Sequence, residues 1–214
     1  MKNIINLSEF KRESYSSLSY KIILNQIIAK KDFSEFNIQN LYFSKCIFNS
    51  VNLEASYCNN LFFNNCVFYN VDFNESKLIT FTFNNCQFIE TYFTEANLYN
   101  FNFINCKLSR VLFDGSGLSN IKFYNSQLQD ISFLSSLLCR VKIKNSTLKD
   151  IEYEYSITYK KFYINDVLTQ KGTEFKNYDD FLKEVSLYNL SDFIGITFYI
   201  ELLSLILRVQ ILCK

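Results

Sequence analysis

The 214-residue chain contains no histidine, no proline and no tryptophan, and only four glycines. Without histidine it lacks the commonest general base and the commonest metal ligand. No phosphate-binding glycine loop, nucleophile–base pair or hydride-cofactor fingerprint is present. Catalysis is therefore not expected, nor is a resident metal or cofactor. The formal net charge of +1 supplies no global attraction to nucleic acid or to an anionic membrane. The opening "MKNIINLSEF" carries one lysine and an apolar run too short for a secretory signal. Seven cysteines without an export signal read as thiols in a reducing compartment. A cytoplasmic location is expected, with a membrane-peripheral one as the alternative.

Apolar residues make up 49% of the chain, enough for a substantial core. Their order is periodic. Counting by fives from Phe33 gives Phe33, Ile38, Phe43, Phe48, Leu53, Cys58, Phe63, Phe68 and so on to Tyr153, without an insertion. Of these 25 centres 13 are Phe and 8 are Leu, which chance cannot produce at this composition. A period of five fits neither a helix nor a flat strand.

The residues two before each centre repeat every twenty. One series is large (Leu41, Leu61, Phe81, Phe101, Ile121, Val141) and the next small (Cys46, Cys66, Cys86, Cys106, Ser126, Ser146). A third is mostly β-branched (Val51, Val71, Thr91, Val111, Ile131, Ile151) and a fourth small again (Ser56, Ser76, Ala96, Ser116, Ser136, Ser156). The unit is therefore four pentapeptides that turn four corners and return, so that equivalent residues stack. At about 4.8 Å per coil, six coils make a rod roughly 30 Å long. Asn65, Asn85, Asn105, Asn125 and Asn145 recur two after a centre, where a residue that accepts left-handed backbone suits a corner.

"ANLYN" at 96–100, with "VNLEA" at 51–55 and "VDFNE" at 71–75, resembles the motif of the pentapeptide repeat family over residues 31–156. That resemblance implies an all-β solenoid, a right-handed quadrilateral β-helix. Helical caps are expected at both ends. Residues 1–30, with Leu18, Ile22, Ile23, Ile27 and Ile28 at near-helical spacing, read as the N-terminal cap. Residues 157–214 read as a C-terminal cap or linker followed by an apolar helix. Within "LSDFIGITFYIELLSLILRVQILCK", Thr197, Glu201, Ser204 and Arg208 form one polar stripe, which disfavours a lipid-facing span. Phe193, Ile194, Ile200, Leu203, Ile206 and Leu207 are the candidate assembly residues, packing on the rod or on a second copy.

Two kinds of candidate site remain. Cys46, Cys66, Cys86 and Cys106 are twenty residues apart, unlike zinc-knuckle ligands, and read as structural thiols. The third pentapeptide of each coil carries Glu54, Asp72, Glu75, Glu95, Asp114, Glu152 and Glu154 and no base; the first carries Lys45, Lys122, Lys142 and Lys144 and no acid. These opposite faces suggest an acidic wall that binds a basic protein, against the plain alternative of a solvated face. The expected function is a non-catalytic interaction scaffold. The resemblance adds a rival, DNA-mimicking protection of gyrase as in the quinolone-resistance branch of the family; membrane association through the C-terminal helix is another. The partner is an unidentified protein, with homodimerisation through that helix as an option and direct nucleic-acid binding not expected.

Overall fold

In the computed structural model, residues 21–152 are described, together with 156–159, 163–164, 167–168 and 173–175. Within them every regular element is a β-strand; apart from the antiparallel pair Tyr163–Ile164 and Val167–Leu168, the strands stack in parallel into a solenoid of about seven turns. One sheet begins Lys21–Leu24, Asn37–Ser44, Tyr57–Asn64, Lys77–Asn84, Asn97–Ile104 and Gly117–Tyr124. A second, seven-stranded sheet contains Ile27–Ala29, Ile47–Asn49, Val67–Asp72, Gln87–Tyr92, Lys107–Leu112, Gln127–Ser132 and Thr147–Glu152. Neighbours pair in strict twenty-residue register, for example Leu41 with Leu61 and Phe81 with Phe101.

The corners explain the period. Backbone φ is positive at every fifth residue from Asn25 to Asp150, always two after a centre. Each pentapeptide thus ends in a left-handed residue that swings the chain onto the next side. Asn is frequent there because its side chain tolerates that region, which other L-residues enter at a cost. Asn65, Asn85, Asn105, Asn125 and Asn145 all occupy such corners.

Inside, the centres stack as the sequence requires. Phe43, Phe63, Phe83, Phe103 and Phe123 form one column, with ring centroids 4.7–5.0 Å apart. Phe48, Phe68 and Phe88 form a second at 4.7–4.8 Å, and Phe73, Phe93, Phe113 and Phe133 a third at 4.9–5.1 Å. The strand separation within a sheet sets this spacing. Between columns the rings meet edge to face, as Phe63 does Phe68 at 5.2 Å and 72°. Each buried Phe contributes roughly 1.5–3 kcal/mol from transfer, and each ring pair about 0.5–1.5 kcal/mol more.

The ends depart from expectation. Residues 21–29 of the expected N-terminal helix are strands, and Ile23 and Ile28 are buried centres in phase with Phe33. Pairs such as Ile22–Ile23 and Ile27–Ile28 fit helical spacing, but they also fit two successive pentapeptides. Pairing of Lys21–Leu24 with Leu41–Ser44 selects the second reading. Residues 1–20 lie outside the described residues. Beyond Ser156, Ile157–Tyr159 still pairs with Leu137–Cys139 at twenty. The step then becomes twenty-one at Lys142↔Tyr163 and sixteen at Ile157↔Thr173. Strands therefore occur where a cap or linker was expected. The apolar helix with Phe193, Ile194, Ile200, Leu203, Ile206 and Leu207 lies outside the described residues. Among those described, no helix is long and apolar enough to cross a membrane.

Candidate interaction face

The third side of the rod ends in a hydrogen-bonded turn. The carbonyls of Phe33, Leu53, Phe73, Phe93, Phe113 and Phe133 each accept from the N–H three residues on, at 3.1–3.3 Å. The two central turn residues project outward as a ridge. One column of this ridge runs Ser34, Glu54, Asn74, Thr94, Asp114, Leu134; the other runs Glu35, Ala55, Glu75, Glu95, Gly115, Ser135. The sequence-predicted acids thus lie along a corner and the strip beside it, not evenly over a flat wall.

Their roles divide. The Ser34, Glu54 and Asn74 N–H groups donate to Asp32, Asn52 and Asp72 Oδ1 at 3.0, 2.9 and 2.8 Å. One coil on, Thr94 N–H donates to Asn74 Oδ1 at 2.8 Å and Leu134 N–H to Asp114 Oδ1 at 3.1 Å. Asp114 also accepts from the Ser132 hydroxyl. Asp72 and Asp114 are therefore turn caps, and Asn52 and Asn74 perform the same task without charge. Glu54, Glu75 and Glu95 are exposed. Glu152 is exposed at the far end of the strip, and Glu154 lies outside the described residues.

Sequence reasoning missed Asp32 and Glu35, which extend the same strip by one coil; their phase with Phe33 was the available signal. It also missed the side's other corner, which carries Glu90, Asp130 and Asp150 but also Lys30 and Arg110, the latter's Nη2 lying 2.8 Å from Glu90 Oε1. A pair so exposed contributes about 0–1 kcal/mol. On the first side Lys45 is exposed near one end, while Lys122, Lys142 and Lys144 are half-buried near the other. Lys122 and Lys142 occupy adjacent strands.

The cysteine series is an internal column. Cys46, Cys66, Cys86 and Cys106 are buried free thiols. Cys86 and Cys106 each donate to two backbone carbonyls at 3.3–3.5 Å. The hydrogen bond with Cys106, opposed by that with Cys66 and reinforced by burial, pushes the Cys86 thiol up to about 12. Cys106 shifts downward because its bond to Cys86 favours the thiolate. Burial alone pushes Cys58 up to about 12, with the Ser56 hydroxyl pulling the other way. Buried thiols whose ionisation is pushed up, as at Cys58 and Cys86, are poor nucleophiles. Among the described residues, no group of three or more His, Cys, Asp or Glu side chains is arranged to hold a metal ion.

A four-cornered parallel solenoid with five-residue sides and stacked aromatic centres defines the class. Family models described as "Pentapeptide repeat region" and "Pentapeptide repeats (8 copies)" match residues 77–153 and 46–85. The chain belongs to the pentapeptide repeat family. No curated protein matches it. Among solved structures it is similar to HetL, a pentapeptide repeat protein involved in heterocyst differentiation regulation from the cyanobacterium Nostoc. The identity is 10%, covering 71% of this chain and 69% of HetL, with a TM-score of 0.45. It is also similar to full-length QnrB1, a plasmid-mediated fluoroquinolone resistance protein. There the identity is 16%, covering 87% of this chain and 95% of QnrB1, with a TM-score of 0.38. The regulatory and resistance roles are properties of those two proteins.

Proposed function

We propose that the protein is a non-catalytic scaffold that engages a basic partner protein along the ridge of its third side. The observation that carries this reading is the placement of Glu54, Glu75 and Glu95. These carboxylates are exposed on turns whose capping hydrogen bonds are made by other residues. Glu75 and Glu95 lie one coil apart in a single column, on backbone fixed by the turn beneath. A rigid row of anions orders little on binding, so its contacts with lysine or arginine are not offset by loop entropy.

The test is charge reversal by Glu75→Lys/Glu95→Lys. Lys30 and Lys45 already occupy positive-φ corners, so the backbone accepts lysine there. The variant is expected to keep the wild-type β-sheet circular dichroism and to lose partners recovered by wild type from native cells, most steeply at low salt. An unchanged partner set would refute the ridge as a binding surface. A parallel gyrase supercoiling assay, with and without a quinolone, tests the DNA-mimic reading: protection by wild type and not by the variant would replace the scaffold reading.

A further inference from the structure

Every inward centre from Ile23 to Ile143 is buried, whereas the next, Leu148, is only half-buried, and so is Ile151 beside it. Both belong to Thr147–Glu152, the strand at the C-terminal edge of the seven-stranded sheet. At this end of the rod the two sheets differ. The first goes on, with Ile157–Tyr159 paired to Leu137–Cys139 and Tyr163–Ile164 paired to Lys142 and Ile143. The second stops, and among the described residues no strand pairs with the outer edge of Thr147–Glu152. Val167 and Leu168, twenty residues after Thr147 and Leu148, are in phase to supply that strand but pair antiparallel with Ile164 and Tyr163.

Earlier coils show what this edge offers. The N–H groups of Lys30 and Ser50 donate to the Asn49 and Tyr69 carbonyls of the next coil, and the Lys31 and Val51 carbonyls accept from the N–H groups of Asn52 and Asp72. The equivalent groups of the last strand, the Asp150 N–H and the Ile151 carbonyl, therefore point off the end of the sheet. Such an edge takes up an extended segment through main-chain hydrogen bonds, while the side chains beside it select the sequence. An apolar residue belongs over Leu148 and another over Ile151. Charge selects as well. Asp130 and Asp150 are neighbours in one corner column, Glu152 is exposed beyond them, and Lys149 Nζ lies 3.8 Å from Asp150 Oδ2. Cations over Asp150 and Glu152, and an acid over Lys149, make opposite-charge pairs across the new ladder.

We propose that Thr147–Glu152 is a docking edge for an extended segment of a partner protein. The segment adds in parallel as the next strand, with apolar residues over Leu148 and Ile151 and lysine or arginine over Asp150 and Glu152. The edge uses none of the ridge carboxylates Glu54, Glu75 and Glu95.

The probe is the end-capped peptide Thr-Phe-Glu-Lys-Val-Lys, added to the full chain at millimolar concentration with hydrogen exchange as the readout. In the free protein the Asp150 amide is expected to exchange near the unfolded-chain rate, and the peptide should slow it by at least about tenfold. The charge-reversed peptide Thr-Phe-Lys-Glu-Val-Glu should bind wild type at least about tenfold more weakly, and Asp150→Lys/Glu152→Lys should invert that order. Lys30 and Lys45 already occupy positive-φ corners, so lysine is accepted at position 150. Methylating the backbone nitrogen of the peptide's last lysine, the donor to the Ile151 carbonyl, should abolish its binding. A slowly exchanging Asp150 amide in the free chain would show the edge already closed and overturn the proposal. Undiminished binding of the methylated peptide would reduce the contact to ion pairing, and equal binding of the two charge patterns would remove the stated partner chemistry; either result also overturns it.

Discussion

Two columns of small residues line opposite corners of the rod and meet the same need with different atoms. In one, Cys46, Cys86 and Cys106 reach carbonyls 23 residues back, those of Ile23, Phe63 and Phe83, each at 3.5 Å. In the other, Ser76 and Ser136 reach the carbonyls of Leu53 and Phe113 at 2.7 and 2.6 Å, and Ser116 reaches that of Phe93. The geometry is shared, but the hydroxyl is the stronger donor and the thiol the more apolar filler. Ser126 continues the cysteine column and bonds Phe103 at 3.3 Å; Ala96 sits in the serine column with no side-chain donor. Small volume is therefore the requirement at these corners, and the hydrogen bond is an addition to it.

The largest expected effect comes from violating volume. Cys86→Phe places a ring where the neighbouring coils leave room for a thiol, and should lower stability by about 3 kcal/mol in a urea titration. Next is Ser116→Ala. It removes the hydroxyl from the Phe93 carbonyl and from the Ala96 N–H, which keep their own bond at 3.1 Å, for a loss of about 0.5–1.5 kcal/mol. A smaller change of opposite sign is expected at Thr91, whose buried Oγ1 has no partner in the valine-rich column. Thr91→Val should stabilise by about 1 kcal/mol, and a lower urea midpoint would contradict this account. Cys86→Ser, which imitates Ser126, should move stability at neutral pH by less than about 1 kcal/mol.

A buried thiol at a centre, outside both columns, should show itself in alkali. Cys58, hydrogen-bonded to Ser56, has its thiol raised by burial from 9.0 to about 12. The unfolded thiol ionises first, so the unfolded state binds fewer protons and stability falls as pH rises through that window. Melting temperatures of wild type should drop between pH 9 and 12 more steeply than those of Cys58→Val. Parallel curves would argue against a proton-linked contribution from this thiol.

Most of the rod was legible in the sequence. Phe33 to Ile143 at steps of five are the buried centres, and the four size classes two residues earlier are the four inward corner columns. Periodicity reveals such positions because burial constrains every one of them. The N-terminal coil was not legible in this way. Ile22, Ile23, Ile27 and Ile28 satisfy two periods at once, and only pairing with the next coil distinguishes them. The acidic face was half legible: composition located it, but could not show that Asp72 and Asp114 cap turns while Glu75 and Glu95 project free of those bonds.

By itself, then, the sequence determined which residues face inward, how far apart equivalent ones lie and where the chain turns. A five-residue repeat with Asn-rich corners leaves the backbone few other ways to pair. The tertiary structure alone decided where the rod begins and which carboxylates the turns consume. Both depend on what the neighbouring coil supplies: a strand for Lys21–Leu24 and an acceptor for the Leu134 N–H.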